Sequence, residues 1–381
     1  ASLLRWFSIV FLPLAFSALP AKIIFVMLDF KAYALRTLYS SLLSGIVGIW
    51  MAAQGYGAYA IVVQQIVLYA TMSVIAWMFV DWRPSLTFDF ASLKETLKPG
   101  YKIIAASFIG FAEEQLPRLF IGSVLGPHAL GLYAFAMRLR GALHSIFIDS
   151  VLAVLYPSLV RIKDDHKEQT EILEKVVAVI GVLIFPGLAL AIYLAPLYVP
   201  LLFGSEWVDA VPVLQLFVLG SAVYALPVIV QEAMRAHNRM GSFIKIRIPI
   251  VSVSLLLIAV FLSKGLIAVA TALTAWMWCS VIIFVYFFDR WIGISLLSAV
   301  RQLIKPLISV AAMIAALYIF QYSPAYPAND WLKLIMASVL GGTVYLGSSC
   351  LVQYSEVVKI LSFMKSVRSS SSQVQNASNI E

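Results

Sequence analysis

Six side chains in two adjacent stretches carry the groups that could do chemistry in an otherwise apolar chain. Glu113, Glu114 and Arg118 fall in one apolar run, and Arg138, Arg140 and His144 fall in the next. An ionisable group in hydrocarbon is costly, and it marks a substrate path, an ion relay or a tight pair. Arginine suits a phosphate or carboxylate ligand, because its planar fork matches the oxygens and its charge survives burial. Arg118, Arg138 and Arg140 are therefore the candidate substrate-binding set, for an anionic ligand. Glu113, Glu114 and His144 are the candidates for ion coupling or pairing. A carboxylate that loses its water takes up a proton more readily, and histidine titrates near neutrality. A plainer reading stands beside this one. The acids pair with the arginines to fix helix packing, and a lone histidine on a helix is commonly structural. Both readings hold together if a pair exchanges partners when substrate arrives.

The elements that must position these groups are two long helices. The turn Gly126-Pro127-His128 separates the runs 101–125 and 130–159, which makes them antiparallel neighbours. At a rise of ~1.5 Å per residue, Arg118 lies ~10 Å and the two glutamates ~17 Å from the outer end of the first run. Arg138, Arg140 and His144 lie ~12, ~15 and ~21 Å from the outer end of the second. Acids and bases thus fall at similar depths on facing helices. Glu114 and Arg118 are also one helical turn apart, with Pro117 between them. Asp149 sits near the cytoplasmic boundary and reads as interfacial. Gln64 and Gln65 lie in mid-run, where packing is the favoured role over binding ligand hydroxyls. Trp207, Trp276, Trp278 and Trp331 fit interface belts or lipid-facing positions as well as they fit a ligand-stacking platform.

Composition sets the class. Of 381 residues, 62% are hydrophobic and 12% charged, and that charged share is about half what a soluble domain carries. A soluble enzyme, a disordered chain and a basic nucleic-acid binder are excluded. Cys279 and Cys350 stand alone in apolar runs, fit neither a disulfide framework nor a metal site, and read as buried apolar residues. Eleven runs are long enough to span a bilayer. They are 6–28, 32–53, 58–80, 101–125, 130–159, 174–196, 210–233, 246–262, 266–288, 303–321 and 332–352. None alternates with period two, so the expected fold is an all-α polytopic bundle and not a barrel. Pro186-Gly187 marks a possible kink in the run 174–196. With the 81–100 loop placed inside, 21 of the 27 Lys and Arg residues fall on the cytoplasmic side, Arg247 among them. The net charge of +8 is thus explained by topology. The chain starts outside and ends inside, with a polar, non-periodic tail at 353–381. There is no P-loop, zincin motif or nucleophile elbow, and no cofactor is expected.

The order of motifs resembles a known family. The carrying stretches are Phe30-Lys31-Ala32, then Ala52-Ala53-Gln54-Gly55-Tyr56-Gly57-Ala58-Tyr59, then Ile121-Gly122-Ser123-Val124-Leu125-Gly126-Pro127-His128-Ala129-Leu130-Gly131-Leu132-Tyr133. Ala136-Met137-Arg138-Leu139, Val154-Leu155-Tyr156-Pro157-Ser158-Leu159 and Leu202-Phe203-Gly204-Ser205-Glu206-Trp207 follow. Together they are similar to the polysaccharide-transport branch, the Wzx-type flippases, of the multidrug/oligosaccharidyl-lipid/polysaccharide exporter superfamily. The resemblance implies a two-lobed bundle of up to fourteen helices, of which three would precede residue 1. Residues 1–80 would then be the remaining half of the first lobe and 81–100 an inter-lobe linker. Residues 101–289 would be the second lobe, 301–352 an appended pair, and 353–381 a cytoplasmic tail. It further implies a bacterial inner-membrane protein, not an enzyme. Such a protein would move a polyprenyl-pyrophosphate-linked oligosaccharide by alternating access, coupled to a proton or sodium gradient, with polymerase or export machinery as partners and no nucleic acid. A drug or organic-cation antiporter of the same superfamily is the first alternative. A membrane polymerase or ligase acting on the same glycolipid is the second.

Overall fold

A computed structural model describes residues 2–27, 29–83, 89–147, 155, 159, 166–293, 295–324 and 326–352. Every regular element among them is helical. Helical segments stand where the eleven apolar runs fall, and eight of them are long and apolar enough to cross a membrane by length and composition alone. The chain is a multi-pass membrane protein.

It divides into two compact units, 1–93 and 94–381. The first contains α1 (Ser2–Ser8), α2 (Phe11–Val26), α3 (Phe30–Ala53) and α4 (Ala58–Met78). The run predicted at 6–28 is broken at Ile9-Val10, just before Pro13. The Asp29 carboxylate caps α3 by accepting from the Ala32 amide at 2.9 Å. The turn into α4 uses Gly55 and Gly57, both at positive φ. Gly48 lies under Gln64, where an added Cβ would sit 3.1 Å from that side chain. Gln64 therefore packs α4 against α3, as favoured from sequence.

The second unit takes in most of α5 (Phe90–Val124) and then α6 (Gly126–Phe147), α7 (His166–Phe203), α8 (Val211–Ala236), α9 (Met240–Phe261) and α10 (Leu266–Ile292). The short α11 (Leu296–Arg301), α12 (Ile304–Gln321) and α13 (Asp330–Val352) complete it. α8 is apolar on nearly every face, as a helix enclosed by others must be. It packs against α6, α7, α9 and α10. Val213, Leu214, Ile229, Val230 and Met234 are all but inaccessible. Gly220 gives α10 close approach, since a Cβ there would lie 2.9 Å from the Met277 sulfur. The α12–α13 pair packs on α7.

Several helices extend beyond the predicted runs. α7 has 38 residues, because the polar segment from His166 continues the same helix into the apolar run. Pro186, Pro196 and Pro200 all lie within it. The predicted run 130–159 is helical to Phe147, and most of its remainder, with Asp149 and all of the 154–159 motif except Leu155 and Leu159, lies outside the described residues, as does the tail 353–381. Cys279 and Cys350 are exposed, which corrects the expectation that both are buried. On the outward face of a membrane helix a small, weakly polar thiol is as acceptable to lipid as to a protein core.

Proline cannot donate to the carbonyl four residues before it, and in hydrocarbon that carbonyl needs another donor. Three such carbonyls are answered by side chains from other helices. Pro20 leaves the Phe16 carbonyl open, and the Trp77 indole donates to it at 3.1 Å. Pro186 opens the Val182 carbonyl, which takes the Tyr345 hydroxyl at 2.8 Å. Pro196 opens the Ile192 carbonyl, which takes the Gln215 amide at 2.9 Å. Each proline thus becomes a polar tie between helices.

Candidate functional site: an arginine-rich cavity

The turn at Gly126 (φ 83°) returns the chain from α5 to α6, so the two helices run antiparallel as the spacing predicts. Leu130 packs against Gly122, where a Cβ would sit 2.9 Å from its side chain. The pairing continues inward with Ile121, Tyr133 and Ala136, all buried in the main core. α8 supports α6 from behind, and Tyr133 meets Phe217 edge-on at 5.6 Å. This frame holds the polar faces of α5 and α6 around a cavity of about 850 Å³.

All six sequence-predicted residues line that cavity: Glu113, Glu114, Arg118, Arg138, Arg140 and His144. Two further polar residues join them, Tyr224 from α8 and Arg247 from α9. The predicted Glu114–Arg118 pair is present at 2.9 Å, and Arg118 also donates to the Gln115 side chain at 3.2 Å. The second acid pairs across helices: Arg247 donates to Glu113 at 2.6 Å. Arg247 is steadied by Gln231 at 3.3 Å and by the Phe243 ring 5.7 Å away. Sequence reasoning assigned Arg247 to the cytoplasmic charge set. α9 instead starts at Met240, so Arg247 lies about two turns inside the helix.

Arg140 is held differently. Its Nε donates to the buried Ser221 hydroxyl at 3.1 Å, and that hydroxyl donates on to the Phe217 carbonyl at 2.9 Å. The guanidinium stacks over the Tyr224 ring, 5.5 Å from its centre, a contact that favours the cation without neutralising it. The His144 ring lies 4.7 Å from the same tyrosine. Its buried Nε2 has no hydrogen-bond partner among the described residues. Among the described residues neither Arg138 nor Arg140 is paired with a carboxylate. Among the described residues the cavity therefore holds four guanidiniums against two carboxylates, and the two arginines without a carboxylate partner both come from α6. An excess of this sign attracts anions. Tyr224 was missed because a tyrosine in an apolar run resembles core, and the only signal for it is its spacing one turn after Gly220-Ser221 on α8.

The tryptophans divide. Trp207 stacks on Phe135 at 4.3 Å, and Trp276 donates to the Ile250 carbonyl at 3.0 Å. These two are packing residues, whereas Trp278 and Trp331 face outward.

Residues 1–212, more than half of the chain, match the family described as polysaccharide biosynthesis protein. The chain belongs to that family. Its relatives include the lipopolysaccharide biosynthesis protein WzxC of Escherichia coli K12, 30% identical over 35% of this chain and 27% of that protein. The succinoglycan biosynthesis transport protein ExoT of Rhizobium meliloti is 22% identical over 51% of this chain and 40% of that protein. The teichuronic acid biosynthesis protein TuaB of Bacillus subtilis is 20% identical over 75% and 60%. The matched segments span between a quarter and three-fifths of these relatives. Among solved structures, the lipid II flippase MurJ in an inward closed conformation superposes with a TM-score of 0.63 at 14% identity, over 84% of this chain and 67% of that one. The family is the one to which the ordered sequence motifs pointed, and the fold is like that of MurJ.

Proposed function

We propose that the protein is a flippase, not an enzyme. It moves a polyprenyl-pyrophosphate-linked oligosaccharide repeat unit from the cytoplasmic to the outer leaflet of a bacterial inner membrane, for exopolysaccharide or O-antigen synthesis. The observation that carries the reading is the charge balance of the cavity. Among the described residues four arginines and two glutamates line it, an excess of two guanidiniums over carboxylates, and a pyrophosphate diester carries two negative charges. Arg138 and Arg140 bind the diphosphate directly, and Arg118 completes the set. The lipid tail stays in the bilayer, and the sugars occupy the rest of the space. Transport proceeds by alternating access, with Glu113, Glu114 or His144 as the site of any proton or sodium coupling. Residues 101–289 act as one lobe, 1–80 as part of the other and 81–100 as the linker, with 301–352 an appended pair and the C-terminus in the cytoplasm. Polymerase or export machinery receives the product.

The excess of positive charge weighs against a cation antiporter. A glycolipid polymerase or ligase calls for catalytic His or Arg residues on a large outer loop, and the stretch 322–331 contains neither. The test is complementation by the full-length gene in a bacterium that lacks its own flippase, scored by surface polymer. Restoration that is lost in well-expressed Arg118→Ala, Arg138→Ala and Arg140→Ala supports both function and site. Restoration that survives all three keeps the function and removes the site. A protein that restores no polymer with any repeat unit tried is not a flippase of this class.

A further inference from the structure

The four arginines of the cavity are not equivalent. Arg138 and Arg140 are unpaired with any carboxylate among the described residues, and Arg118 is paired within its own helix. Arg247 is bound by a carboxylate from another helix, and that pair at 2.6 Å is a polar tie between α5 and α9. Glu113 keeps appreciable access to the cavity, with 43% of its side chain exposed. Its position in α5 is also weak in the backbone sense. Pro117 has no amide to return to the Glu113 carbonyl, so α5 lacks one rung at the turn where the side chain reaches across.

We infer that Arg247 is a fourth anion-binding residue, engaged by the Glu113 carboxylate, which a phosphate ligand displaces. The inference rests on the anion-binding reading of the cavity given above. A carboxylate and a phosphate present the same pair of oxygens to a guanidinium fork. Glu113 therefore competes for Arg247 with the ligand that Arg138 and Arg140 draw in. When the ligand takes Arg247, the tie between α5 and α9 is released, and α5 is free to bend at Pro117. Binding is thereby linked to movement of one named helix. Uncharged glycolipids, which offer Arg247 nothing, leave the tie closed.

The experiment is titration of the purified full chain in lipid nanodiscs with inorganic pyrophosphate. Wild type is compared with Glu113→Gln, Arg247→Gln, the double variant and Arg140→Gln. Glu232→Gln serves as a control, because its partner Arg235 lies at the end of α8, off the cavity. Removing the competing carboxylate should tighten pyrophosphate binding about threefold to tenfold, the range set by a partly exposed ion pair. Arg247→Gln should weaken binding about tenfold. The double variant should match Arg247→Gln alone, because Glu113 acts only through Arg247. Glu232→Gln should bind as wild type. Binding by Glu113→Gln equal to or weaker than wild type, with Arg140→Gln still impaired, overturns the inference and leaves the anion cavity standing. Binding that is absent in wild type, or unaffected by Arg140→Gln, overturns the cavity reading itself. Should Arg247→Gln fail to fold, the sign of the Glu113→Gln effect decides alone.

Discussion

The Tyr345 hydroxyl donates to the Val182 carbonyl, the very carbonyl that Pro186 leaves without a helical donor. The partners lie on α13 and α7, 163 residues apart in sequence. One bond thereby repairs a proline break and anchors the α12–α13 pair. Interhelical hydrogen bonds in membranes are worth ~0.6 kcal/mol on average and up to ~1.7. Tyr345→Phe keeps the ring but opens the carbonyl, so it should lower stability by about 1 kcal/mol. Tyr318→Phe, which removes an exposed contact with Tyr322, should change nothing measurable. Thermal unfolding of the two variants in nanodiscs checks the difference.

Gln215→Leu makes the same argument at the second break, where the Ile192 carbonyl would lose its donor. A loss of about 1 kcal/mol is expected, seen as a lower unfolding midpoint. Pairing it with Tyr345→Phe should give additive losses, because the two sites share no partner.

Glycine substitutions on α7 and α13 should separate by what the new methyl meets. At Gly181 an added Cβ lies 2.9 Å from Leu303 and 3.0 Å from the Pro306 ring, which cannot turn aside. Gly181→Ala should cost about 1–3 kcal/mol. At Gly341 the obstacle is the end of the flexible Leu190 side chain at 2.7 Å, and the cost should be smaller. Gly342 has nothing within 4 Å, and Gly342→Ala should be tolerated. Expression level and thermal midpoint give the ranking.

In the cavity, Tyr224→Phe keeps the ring beneath Arg140, whereas Tyr224→Leu removes it. A cation over an aromatic face contributes ~0.5–2 kcal/mol. Tyr224→Phe should retain polymer export in the complementation assay, and Tyr224→Leu should lose several-fold. Arg140→Lys should not replace arginine, because an ammonium cannot both bond Ser221 through a guanidinium Nε and lie flat on the ring.

Much of this architecture was legible because hydrocarbon imposes simple rules. Apolar length located the helices. The candidate residues were legible for the same reason, since a charge inside an apolar run stands out. Arg247 was not, because it lies at the margin between loop and helix and span length alone cannot fix that margin to within two turns. Tyr224 was hidden by being amphipathic. The proline-answering side chains Trp77, Gln215 and Tyr345 were out of reach for another reason. A proline shows in sequence which carbonyl it opens, but the donor that closes it comes from a helix whose proximity only the fold reveals. The cysteines were misread as core because apolar surroundings in sequence do not tell lipid from protein.

The contacts along α7 restrict how that helix can move. Gly181 receives Leu303 and Pro306 in a notch, Leu190 projects as a tooth into the space over Gly341, and the Val182 carbonyl is pinned by Tyr345. A shaft keyed at three points along its length cannot spin about its own axis without shearing all three. It can still flex where its prolines thin the backbone ladder. Any motion that reaches α7 must therefore arrive as bending, with α12 and α13 carried along as ballast.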